Sequence, residues 1–139
     1  LSRCINFNIS LENDKVNEIS SLLFDNDIDN LINKDLLNYY STPGEIYNLL
    51  KFSEEKKINL KDINLKDFLL KLISENIYKD DKQSKTFVYN ILELFLIKYI
   101  SVSNSDVYNY FLKRINDFKK FNLDDESLFL EINSKLLNG

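Results

Sequence analysis

The residue whose type and setting best suit it to chemistry is Arg3, in the string Ser2-Arg3-Cys4. It is one of two arginines, with Arg114, in a chain that otherwise carries its positive charge on lysine. A guanidinium stays charged and offers a planar fork of donors that matches phosphate oxygens. Taken alone, the three-residue string reads equally well as a surface arginine. The usual catalytic ingredients are missing around it. Without histidine there is no Ser-His-Asp or Cys-His arrangement. Cys4 is the single cysteine, which excludes a disulfide framework and an ordinary Cys/His zinc site and reads as a small buried hydrophobe. Two glycines are too few for a phosphate-cradling loop, and the G-x-x-x-x-G-K-[ST] pattern is absent. The carboxylate pairs Glu54-Glu55, Asp80-Asp81 and Asp124-Asp125 are adjacent in sequence. Neighbours on a helix point about a hundred degrees apart, so these pairs read as solvated surface and not as acid/base partners.

Arg3 lies in a predicted extended stretch, and the elements that follow it are helical. Residues 1–10, LSRCINFNIS, alternate apolar and polar and predict a strand end or extended connector. Ser10 is a candidate N-cap for a helix with Val16, Ile19, Leu22 and Leu23 on one apolar face. Asp25–Asn30 starts a short helix through Ile28, Leu31 and Ile32. Asn33 caps another over Lys34–Tyr40, with Leu36, Leu37 and Tyr40 inward. Thr42-Pro43 predicts a helix start, because proline is pre-organised for the first helical position. That helix carries Ile46, Leu49, Leu50 and Phe52 and ends near Lys57. The weakly periodic INLKDINLKD places a domain boundary around Asn59.

Four further helices are predicted beyond it. Asn64 caps the first, with Leu65, Phe68, Leu69 and Leu72 inward. Ser84 begins the longest, from Phe87 to Ile100, apolar nearly all round and so the expected buried centre of a bundle. Ser103 or Asn104 opens a third, with Val107, Phe111, Ile115 and Phe118. The last starts near Asp124 with Leu128, Ile132 and Leu136 in one row. No hairpin turn or sustained β-branched run competes, and the fold class is all-α. Tyr39, Tyr40, Tyr47, Tyr89, Tyr99, Tyr108 and Tyr110 read mainly as core, with docking of a helix face as the other use of tyrosine.

Composition narrows the function. Apolar residues supply 44% of the chain and aromatics 13%, enough for a core within 139 residues. The heavy use of Asn, Lys, Ile and Leu suggests an A/T-rich genome. The net charge of -4 argues against an autonomous nucleic-acid binder, which needs a basic patch. Lys56-Lys57 and Lys119-Lys120 read as solvated helix faces. No apolar run reaches the roughly 20 residues of a membrane span. The single cysteine fits a reducing, cytoplasmic setting. The chain starts at Leu1 without an initiating methionine and is read as a piece of a longer protein.

Three stretches carry a family resemblance. Ser2-Arg3-Cys4 followed by Ile5–Ile9 resembles the passage from the ATPase domain into the helical lid of bacterial clamp-loader subunits, which belong to the AAA+ ATPases. Leu36–Ile46, with Ser41-Thr42-Pro43-Gly44, is similar to the start of the lid's third helix in the delta-prime type of subunit. Asn122–Ile132 is similar to the closing collar helix. The resemblance spans the whole chain, and its middle rests on helix count. Motor subunits of the gamma/tau type place an arginine after the corresponding small-Ser pair to sense nucleotide phosphates. Here Glu45 follows Gly44, which favours the non-hydrolysing delta-prime type.

The resemblance implies the end of the ATPase domain and a small helical lid over 1–58, and a helical-bundle collar over 59–139. Arg3 becomes an arginine finger reaching a neighbouring motor's ATP, with Ser2 and Cys4 flanking it. The implied partners are the motor gamma/tau and delta subunits, joined through the collar. The sliding clamp and primer-template DNA are met only through the assembled complex. No catalytic site, cofactor, metal or membrane contact is expected of this piece. The parent assembly is the DNA polymerase III holoenzyme of bacterial DNA replication. Two other readings stand beside it: the lid and oligomerisation domain of another AAA+ ATPase, motor or recombination-linked, or an unrelated helical adaptor in which Ser-Arg-Cys is accidental.

Overall fold

A computed structural model describes residues 11–37 and 41–138. Every regular element among them is helical, as the periodicity predicts. The expected extended stretch 1–10 lies outside the described residues, as do Tyr39 and Tyr40 of the predicted helix 34–40. The chain divides into two compact units, Leu1–Asn64 and Leu65–Gly139. This division lies a few residues beyond Asn59. Ile58 and Leu60 are buried, and the Leu60 carbonyl accepts from the Asn33 amide at 2.9 Å, tying the stretch to the first unit.

The first unit is built on α1 (Asn13–Phe24), α2 (Ile28–Leu31) and α3 (Pro43–Lys56). Helix α1 begins after Glu12, which makes no side-chain cap; Ser10, expected as the cap, lies outside the described residues. Asp27 and Asn33 cap the next two turns, accepting from the Asp29 amide at 3.2 Å and the Asp35 amide at 3.0 Å. The turn after Asn33 is a short 3-10 helix, Lys34–Leu36. Val16, Ile28, Ile32, Leu36, Ile46, Leu49 and Phe52 form the core, while Leu50 is only half-buried. Helix α1 departs from its predicted face. It buries Val16 and Ser20 and leaves Ile19, Leu22 and Leu23 exposed. The row that faces inward runs at four-residue steps, Val16–Ser20–Phe24, and Phe24 stacks on Tyr47 of α3 at 5.9 Å.

The second unit contains α4 (Leu65–Ser74), α5 (Lys82–Phe95), α6 (Ser105–Phe121) and α7 (Asp125–Ile132). Helix α4 buries Leu65, Phe68, Leu69 and Leu72 completely, as read from its spacing. A 3-10 turn, Ile77–Lys79, follows and buries Ile77 and Tyr78. Helix α5 starts two residues before Ser84, capped by Asp81, whose carboxylate accepts from the Ser84 amide at 2.7 Å. It buries Val88, Tyr89, Ile91, Leu92 and Phe95 but exposes Asn90, so it is not enclosed on every side. A π-helical turn, Leu96–Ile100, continues it, closed by the Ser101 amide donating to the Leu96 carbonyl at 2.9 Å. That turn rotates Ile97 and Tyr99 into solvent. Asn104 caps α6 by accepting from the Val107 amide at 3.1 Å, and Phe111, Ile115 and Phe118 face inward.

Helix α7 is capped by Asp124, with Asp125 and Glu126 in its first turn at the positive end of the helix dipole. It passes into a second π-helical turn, Asn133–Leu137. A π turn inserts a residue into the helical repeat. The buried row therefore runs Leu128–Ile132–Leu137, and Leu136, predicted to complete it, is only half-buried.

Left-handed backbone occurs at Asp25, Lys57, Asn76 and Asn122, with φ of 50°, 55°, 54° and 48°. Asp25, Lys57 and Asn122 close α1, α3 and α6. None of the four is glycine, the residue best suited to that conformation.

Candidate functional site

Ser2, Arg3 and Cys4 lie outside the described residues. The second stretch of interest, Thr42–Glu45, is described in full. The Thr42 hydroxyl accepts from the Glu45 amide at 3.2 Å, and the Glu45 carboxylate accepts from the Thr42 amide at 2.8 Å. With Pro43 at the first helical position this is a complete capping box. The Glu45 carboxylate is thus engaged with its own helix start. Gly44 is not demanded by space, since a Cβ there meets only the Thr42 hydroxyl at 3.9 Å.

The second unit holds the most organised side-chain chemistry, and sequence reasoning missed it. Glu131 of α7 accepts from the Tyr110 hydroxyl at 2.7 Å, from Arg114 of α6 at 3.1 Å and from Lys135 at 2.8 Å. These donors, Lys135 first and then Tyr110 and Arg114, pull its carboxyl down to about 2 against the opposing effect of burial. A carboxylate held this far down is a poor proton acceptor near neutrality. It works as a clasp between α6 and α7, with the Arg114 guanidinium also over the Phe118 ring at 4.9 Å.

A second clasp joins α5 to the start of α7. The Tyr89 hydroxyl donates to Asp125, which also pairs with Lys85, and Lys79 pairs with Glu126 at 2.9 Å. Behind it the Phe129 ring lies 5.4 Å from that of Tyr89 and 4.4 Å from that of Tyr78. Burial, reinforced by the bond to Asp125, pushes the Tyr89 phenol far up, so it stays neutral near pH 7. Lys119 of α6 pairs with Glu93 of α5 and sits over the Tyr89 ring at 5.3 Å.

Both clasps pair cations with carboxylates. Among the described residues no group of three or more His, Cys, Asp and Glu side chains is placed to hold a metal ion. Within α6, Tyr110 and Arg114 are four residues apart, as are Glu131 and Lys135 across α7 and its π turn. That spacing was a readable signal for each half of the clasp.

The remaining feature is exposed apolar surface. Leu22 is 75% exposed and Leu23 63%, with Ile19 beside them on α1. In the second unit Val102 is 89% exposed, just beyond Ile97 and Tyr99. Of the tyrosines, Tyr89 is buried and Tyr108 half-buried, whereas Tyr47, Tyr99 and Tyr110 are exposed. Among the described residues no helix is long and apolar enough to cross a membrane.

Comparison with known proteins matched no family model, no curated protein and no solved structure.

Proposed function

We propose that this chain is a non-catalytic piece of a delta-prime-type subunit of the bacterial replicative clamp loader, serving as a helical scaffold beside an ATP-hydrolysing neighbour. The observation that carries the reading is the capping box at Thr42–Glu45. Where motor subunits of the family present a phosphate-sensing arginine, this chain has a carboxylate bonded to the Thr42 amide. A carboxylate there repels a triphosphate instead of reading it. The clasps of the second unit agree with a scaffold. Their ionisable groups are paired with one another across α5, α6 and α7. In this reading the second unit joins the motor and delta subunits, and the clamp and primer-template DNA are reached through the assembly. Arg3 then acts in trans on ATP bound by a motor subunit, where the donor fork of a guanidinium stabilises charge on the transferring phosphoryl group.

The test uses the full-length parent with Arg3→Ala, mixed with motor and delta subunits, measuring DNA- and clamp-stimulated ATP hydrolysis. Normal assembly with hydrolysis at the neighbouring site slowed about 10³–10⁵-fold is expected. An unmodified parent that neither joins the complex nor alters its ATPase overturns the reading. Normal assembly with unchanged hydrolysis removes the finger and leaves the scaffold.

A further inference from the structure

We draw no further inference here: the strongest candidate, the apolar strip of Ile19, Leu22 and Leu23 that α1 leaves exposed, has nothing in the structure to show what covers it.

Discussion

Glu131 accepts from a phenol, a guanidinium and an ammonium at once, and its folded carboxyl lies well below the ordinary carboxylate value. Its contribution to stability is therefore complete above the unfolded value near 4.5 and is lost as pH falls toward about 2. Glu131→Gln should lower stability by about 1 kcal/mol at neutral pH, a modest figure because Lys135 and Arg114 remain in contact with water. The same variant should flatten the acid limb of a plot of Tm against pH, and an unchanged limb would show that the clasp is not formed. Ser20 makes the opposite case. It is wholly buried in α1, and among the described residues its hydroxyl has no hydrogen-bond partner. Ser20→Ala removes an unsatisfied polar group and supplies a better helix former. Urea denaturation should show a gain of about 1 kcal/mol; a loss would mean that the hydroxyl is satisfied in solution.

At the scale of the element, helix starts are the most local feature of this fold. The Thr42–Glu45 box needs four consecutive residues and no tertiary partner. Thr42→Ala should cost about 1 kcal/mol and speed amide exchange in the first turn of α3 while sparing α6, and equal effects on both helices would contradict a local cap. The same locality explains why the starts at Thr42, Asn104 and Asp124 were legible in the sequence. The start of α5, read at Ser84, lies two residues earlier at Lys82, because Asp81 is the cap and its carboxylate accepts from the Ser84 amide. Faces were less legible than starts. Val16, Ile19, Leu22 and Leu23 satisfy a helical apolar pattern, yet the row through Ser20 is the one enclosed. The choice depends on where α3 puts Tyr47 against Phe24, which no spacing within α1 encodes. Leu136 failed for a different reason. A reading at 3.6 residues per turn cannot anticipate the extra residue of the π turn that brings Leu137 inward. For the Glu131 clasp, each helix contributes a visible pair four apart, but their meeting is a tertiary fact.

For the whole molecule, charge is the property least dependent on any single contact. Eighteen basic against 22 acidic residues give a net charge of -4. The Lys119 and Lys79 ammonium groups are paired with Glu93 and Glu126 instead of standing free for phosphate. A gel-shift titration of this chain against primer-template DNA at about 50 mM salt should show no complex, and a salt-sensitive shift would contradict the expectation from its net negative charge. The all-α class was legible because it rests on sums over many residues. The identity of the chemistry was not, because Arg3 depends on atoms supplied by another subunit in the proposed reading. The left-handed helix ends at Asp25, Lys57 and Asn122 have a consequence of another kind. Asn and Asp tolerate that conformation, but Lys57 holds about 1 kcal/mol of backbone strain that a glycine would release. Lys57 is exposed, so this strain sits in a surface turn, where an inspection of the core would pass over it.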